Sequence, residues 1–210
     1  MIEPAPILTE EQARAYVAGW GDAAAMERLE RFARLLIDEN ARQNLISRPS
    51  EAQVWQRHLA DSAQLLEHVP RETPPDGLWL DLGTGAGFPG LVIAALRPEW
   101  DVVLVESRAR RVEFLENCVR ALDLPRCRVI GERLERIEPF PARIISARAF
   151  ASLEKLLRLS APFSTEATRH ILPKGRSAAQ ELQQAGKPIR DMFHVEHSLT
   201  DRDAGIIVSA

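Results

Sequence analysis

From residue 78 onward, short apolar runs alternate with stretches whose apolar side chains recur every third or fourth position. This is the signature of strands alternating with helices. Residues 78–81, 102–106, 128–131, 143–146 and 170–174 predict strands. A helix is expected to begin near Pro89, with Leu91, Val92, Ala94, Ala95 and Leu96 on its apolar face and Pro98 as its stop. Further helices are expected over 109–122 (Val112, Phe114, Leu115, Val119 and Leu122 inward), 152–159 and 177–185. Residues 189–197 and 205–209 predict a closing antiparallel hairpin. Such alternation predicts an open α/β sheet of seven strands, mostly parallel, with ligands at its carboxyl edge.

The first seventy residues carry helical periodicity only. One helix is expected after Thr9, a plausible N-cap; a second over 24–40, with Leu29, Phe32, Ala33 and Leu36 inward; and a third over 50–69, with Val54, Leu59, Leu65 and Leu66. Residues 70–77, rich in proline and polar side chains, predict a linker. The expected organisation is an N-terminal helical extension, 1–75, and a compact sheet domain, 76–210. A plain cap over the sheet edge would account for the extension equally well.

Composition narrows the class. Of 210 residues, 45% are hydrophobic, enough for a real core. The chain has neither a long apolar run nor a basic segment at Met1 that would mark a signal peptide, so a soluble, cytoplasmic protein is expected. Cys118 and Cys127 lack metal or redox spacing and predict buried free thiols. His194 and His197 fall three apart in an expected strand and so face opposite sides, which disfavours a metal pair; no metal is expected. The net charge of -3 conceals an asymmetry, because residues 108–176 carry fifteen Lys and Arg against eight Asp and Glu. That basic share is either a phosphate-binding surface or a set of solvated helix faces.

The densest chemistry is Asp81-Leu-Gly83-Thr-Gly85-Ala-Gly87-Phe88-Pro89-Gly90, a glycine loop between the first strand and its helix. Gly85, Gly87 and Gly90 satisfy G-x-G-x-x-G. Glu106, at the end of the next strand, stands where an acid holds ribose hydroxyls. The motif alone leaves NAD and S-adenosylmethionine open. Two features favour S-adenosylmethionine: Asp81 and Gly83 extend the loop to D-x-G-x-G-x-G, and Phe88-Pro89 occupies the entrance a pyrophosphate would need at the helix N-terminus. The first helical turn, opened by Pro89, is expected to face the ligand with free N–H groups.

Other segments sharpen the reading. Asn44-Leu45, Arg57-His58 with Asp61-Ser62, the glycine loop, Glu106-Ser107 with Arg110-Arg111 and Phe114-Leu115, Arg133-Leu134-Glu135, Ala147-Arg148-Ala149-Phe150-Ala151, and Lys174-Gly175 together resemble the ribosomal RNA small subunit methyltransferase G family, also called glucose-inhibited division protein B. The resemblance covers nearly the whole chain. It implies a class I S-adenosylmethionine-dependent methyltransferase with a Rossmann-like fold. The implied reaction transfers a methyl group to N7 of a specific guanine in 16S ribosomal RNA, on the small subunit or an assembly intermediate; a monomer is expected. Carried over by position, Gly83, Phe88, Leu134, Glu135 and Arg148 are expected at the cofactor with Asp81, Gly85 and Gly87, and Glu106 at its ribose. The chain departs from the family at Arg110, at Leu172-Pro173, and in ending at Ala210 without a basic tail.

Guanine N7 carries a free lone pair at neutral pH, so no general base is required and none is assigned. Asp61, His58, Asn44 and Arg148 are the candidates for positioning the base. A helix packed through its own hydrogen bonds is the bland reading of the first two, and a buried charge against Glu135 or Asp81 that of the last. Arg108, Arg110, Arg111, Arg148, Lys174 and Arg176 are the expected RNA contacts. An oxidoreductase, a catalytically silent RNA-binding module, and a methyltransferase for another RNA, a protein or a small molecule are the alternatives.

Overall fold

The computed structural model describes residues 5–70, 73 and 77–209. Helix α1 (Glu10–Ala18) is capped by Thr9, whose hydroxyl accepts from the Gln12 N–H at 3.1 Å. Helix α2 (Ala23–Gln43) is capped by Asp22, which accepts from the Ala25 N–H at 2.8 Å. Both side chains meet N–H groups that a helix start leaves unpaired. Asn44 ends α2 in the left-handed region at φ 52°, a conformation asparagine tolerates better than most residues.

The single helix expected over 50–69 is instead a series of short pieces. It comprises α3 (Arg48–Glu51), a π-helical turn (Trp55–Ala60), α4 (Asp61–Ala63) and a 3-10 turn (Gln64–His68). The physical reason lies far away in sequence: the Glu10 carboxylate on α1 accepts from the N–H groups of Trp55 (3.0 Å) and Gln56 (2.8 Å). A partner outside the helix thus replaces part of the ladder. Most of the linker expected over 70–77, and the opening residues 1–4, lie outside the described residues.

The sheet domain runs β1 (Trp79–Leu82), α5 (Gly90–Leu96), β2 (Val102–Val105), α6 (Ala109–Ala121), β3 (Cys127–Ile130), β4 (Ile144–Ser146), α7 (Leu153–Ser160), β5 (Arg169–Gly175), α8 (Ala178–Gln184), α9 (Lys187–Met192), β6 (Phe193–His197) and β7 (Gly205–Ser209). The strand order is β3-β2-β1-β4-β5-β7-β6. The first five are parallel, and β7 runs antiparallel to both β5 and β6. The expected mixed sheet with its C-terminal hairpin is present. One boundary differs: residues 189–192 belong to α9, with Pro188 in its first turn, so only 193–197 are strand. Pro173 sits in β5 beyond the last residue paired with β4, where its missing N–H leaves no ladder bond unmade.

Alternation along the strands divides the core. Trp79, Val102, Leu104 and Ile144 face α5 and α6, whereas Leu80, Leu82, Val103 and Ile145 share a core with α7 and α8. The helical extension packs on the outer side of α5 and α6 through α2 and α4. It also reaches the β6–β7 loop, where the Ile7 N–H donates to the Leu199 carbonyl at 2.7 Å. Strand order reverses at the β1/β4 pair, and the crevice outside such a switch point is where open α/β sheets bind ligands. Among the described residues no helix is long and apolar enough to cross a membrane.

Candidate active site

The glycine loop leaves β1 with Gly83 at φ 63° and Gly87 at φ 100°. Only glycine adopts such angles without strain. A Cβ on Gly87 would meet the Leu91 side chain at 2.5 Å, so this glycine serves core packing and does not line a cleft. Asp81 is fully buried beneath the loop. One oxygen accepts from the Ser146 hydroxyl (2.7 Å); the other accepts from the Gly90 N–H (3.0 Å) and the Thr84 hydroxyl. Burial raises its pKa while these donors oppose the rise.

Two expectations are thereby corrected. Asp81 does not face a ligand, because strand alternation turns it under the loop and its hydrogen bonds are made within the protein. Nor does the first turn of α5 offer free N–H groups: Gly90 donates to Asp81, Leu91 to the Gly87 carbonyl, and Val92 and Ile93 to that of Pro89. Pro89 itself precedes the first helical residue. An anion seat for a pyrophosphate is therefore missing at this helix end, which counts against NAD.

A cavity of about 400 Å³ opens at the carboxyl ends of β1 and β2, walled by Gly83, Glu106, Leu134 and Glu135. Glu106 is buried. Its Oε1 accepts from the N–H groups of Ser107 (2.8 Å) and Arg108 (2.9 Å), and its Oε2 lies 3.6 Å from the Arg111 guanidinium. Oε2 retains capacity to accept from a ribose hydroxyl. Gly85, Gly87 and Phe88 do not wall this cavity. Arg111 is drawn to Glu106, so it belongs to this site and not to the outer surface; Arg108 is exposed but also lines this cavity, and Arg110 is exposed at the start of α6.

A second cavity, about 560 Å³, lies across the segment after β4 and shares Ala149 and Ala151 with the first. Arg148 enters it from β4, and His58 and Asp61 from the π-helical turn and α4. The Arg148 guanidinium lies 3.5 Å from Asp61 Oδ2 and 3.2 Å from His58 Nδ1, over the ring of Phe88 at 4.7 Å. His58 stacks on the same ring, centroids 4.9 Å apart. Phe88 is thus the floor beneath both groups and not a barrier at a helix end. The partner of Arg148 is Asp61, not Glu135 or Asp81.

An arginine can only donate, so His58 Nδ1 accepts and its proton sits on Nε2. That N–H is buried with no partner among the described residues. Burial, aided by the cations Arg148 and Arg57, lowers the His58 pKa to about 3, so the ring is neutral at physiological pH. Asp61 Oδ1 accepts from Thr200 Oγ1 (2.8 Å) and Gln64 Nε2 (2.9 Å), which ties α4 to the β6–β7 loop.

Two expected residues have other duties. Lys174 is not a free phosphate contact: its side chain is 6% exposed, donating to the Ala151 carbonyl at 2.6 Å and pairing with Glu181 at 2.9 Å. It braces the wall between the cavities, where Ala149 adopts φ 53°. Asn44 is exposed and off the cavity wall, because its left-handed conformation serves to end α2. The following loop is held by Asn40, which accepts from the Ile46 N–H (2.8 Å) and donates to Glu51 (2.5 Å). Arg57, Gln64, Glu181, Thr200 and Asp201 escaped the sequence reading as site residues. Arg57 alone had a signal, its place beside His58.

A family model described as rRNA small subunit methyltransferase G matches residues 25–200. The chain belongs to this family. It is accordingly an S-adenosylmethionine-dependent methyltransferase of the rRNA-modifying kind. Ribosomal RNA small subunit methyltransferase G of Erythrobacter litoralis is 62% identical over 202 residues, covering 96% of each chain. That of Novosphingobium aromaticivorans is 52% identical over 204 residues, covering 96% of this chain and 88% of its own. The fold is shared with more distant solved structures. The fibrillarin/Nop5p complex aligns with TM-score 0.57 at 18% identity, over 73% of this chain and 81% of the other. A mutant of MtNAS in complex with S-adenosylmethionine aligns with TM-score 0.54 at 14% identity, over 96% and 84%.

Proposed function

We propose that the enzyme methylates N7 of a guanine in 16S rRNA, on the small ribosomal subunit or its assembly intermediate, acting as a cytoplasmic monomer. The observation that supports this reading is the pair of cavities meeting at Ala149 and Ala151. Gly83, Glu106, Leu134 and Glu135 hold the cofactor on one side. The other side offers a polar recess floored by Phe88 for a splayed-out base. When bound, S-adenosylmethionine supplies an electrophilic methyl group.

The chain's own residues position the base. N7 must stay free to attack, so recognition falls to the remaining edge atoms. Asp61 Oδ2 accepts from guanine N1–H and N2–H. Methylation places positive charge on the purine, which strengthens the bond to Asp61 in the transition state more than in the ground state. Arg148 holds Asp61 and His58 in register, and no group is needed as a base. Arg108, Arg110 and Arg176 take backbone phosphates. Labelled S-adenosylmethionine with small subunits from cells lacking the enzyme tests the reading. Label mapped as N7-methylguanine at one position supports it, and label elsewhere or none overturns it. Light scattering in solution checks the monomer.

A further inference from the structure

At the rim of the acceptor cavity two arginines from distant segments converge on one oxygen. Arg57, beside His58, lies 3.6 Å from Asp201 Oδ2, and Arg176, just after β5, lies 3.7 Å from the same atom. Arg176 is also 3.3 Å from Asp203. At 3.6 and 3.7 Å the two contacts to Asp201 attract electrostatically but are too long for hydrogen bonds. Both arginine side chains are well exposed, at 47% and 72%, whereas that of Asp201 is 22% exposed.

The loop that carries Asp201 is not loose. Thr200 is fixed to Asp61, the Leu199 N–H donates to Gln64 at 2.8 Å, and Asp201 Oδ1 accepts from the Asp203 N–H at 3.1 Å. A held carboxylate therefore sits between two guanidinium groups whose planar forks keep donors to spare. Guanidinium forks match phosphate oxygens well.

We propose that Arg57 and Arg176 form a clamp for one backbone phosphodiester of the acceptor RNA strand, and that Asp201 is a resident anion which the phosphate displaces. The clamp rests on the proposed RNA substrate and extends it, since it adds Arg57 and assigns Asp201 an opposing part. Displacement sets a sign that a plain basic surface would not show. Loss of either arginine weakens RNA binding, whereas neutralising Asp201 strengthens it.

The test is equilibrium binding of the full-length enzyme to a 16S rRNA transcript across a range of salt. Arg57→Gln and Arg176→Gln are expected each to weaken binding several-fold and to lower the salt slope by about 0.7 to 0.9, the loss of one phosphate contact. Asp201→Asn keeps the oxygen that accepts from Asp203 and is expected to tighten binding about threefold at low salt, as removal of one competing charge at a rim site would. Arg126→Gln is the matched control, an arginine paired with Asp101 at the far edge of the sheet and 45% exposed. Its slope should equal that of the wild type. Weaker binding by Asp201→Asn, or an unchanged slope in both arginine variants, overturns the clamp. Methyl transfer by the wild-type enzyme to the small subunit is read separately. Its absence counts against the proposed reaction, while the salt slopes still decide the clamp.

Discussion

On the cofactor side of the Ala149–Ala151 wall, the polar contacts around the glycine loop and Glu106 are mostly local, the Ser146 hydroxyl on Asp81 being the distant one. Glu106 takes the N–H groups one and two residues on, and Asp81 takes donors three and nine residues on at Thr84 and Gly90. On the acceptor side they span the chain. His58 meets Arg148 across 90 residues, Gln64 meets Ser198 across 134, and Asp61 meets Thr200 across 139. One half is built around a strand-turn-helix motif whose polar contacts are mostly its own. The other exists only once the helical extension, β4 and the β6–β7 loop have come together. A substitution in the acceptor half should therefore spoil alignment of the base without touching cofactor affinity, and the reverse should hold for the loop.

Removing the carboxylate of Asp61 is the harshest way to break this division. Asp61→Ala leaves Arg148 without its ion-pair partner and the base without its proposed acceptor. Turnover should fall about 100-fold, the usual scale for losing one group that stabilises transition-state charge. The affinity for S-adenosylmethionine by calorimetry should stay within about threefold. Parallel loss of cofactor affinity would mean that the two halves are one cooperative site.

The converse test is Gly83→Ala. At φ 63° a Cβ is strained, and it would also collide with the ring of Phe150. An expected cost of at least about 1 kcal/mol corresponds to about fivefold or more weaker cofactor binding. Calorimetry showing wild-type affinity would remove Gly83 from the cavity wall.

The histidines sharpen the comparison through pH. Burial lowers His58 to about 3 and His170, in the core on β5, to about 4, from an ordinary 6.5. Between those values and 6.5 the unfolded chain binds protons that the folded chain refuses. The stability these neutral rings contribute is complete above pH 6.5 and is lost as pH falls toward 3 to 4. Urea midpoints should drop between about pH 7.5 and pH 5. His170→Gln should flatten that drop and leave methyl transfer intact, whereas His58→Gln should flatten it and also slow transfer. Equal wild-type midpoints at the two pH values would contradict the burial of both rings.

The smallest effect belongs to a site in neither half. Asp22→Ala deletes the cap of α2 and should cost about 1 kcal/mol in thermal or urea unfolding. Cofactor binding should be unaffected; a change there would show that the extension governs the cofactor cavity as well.

By itself, the amino-acid sequence determined the alternation of strands and helices, the seven-stranded sheet with its reversed hairpin, the glycine loop, and the acid Glu106 at the end of β2. These depend on period-two and period-3.6 patterns and on residues a few positions apart, which a linear reading contains. Only the tertiary structure decided how the acceptor half is made. Glu10 breaks the helix expected over 50–69, Arg148 chooses Asp61 over Glu135 and Asp81, Lys174 is spent on Ala151 and Glu181, and Asn44 is spent on ending α2. The physical reason is common to the first three. A side chain's partner is fixed by what lies within a few ångströms after folding, and when that partner is tens of residues away no local pattern announces it. Asn44 is the exception, a local backbone demand that its placement in a motif concealed.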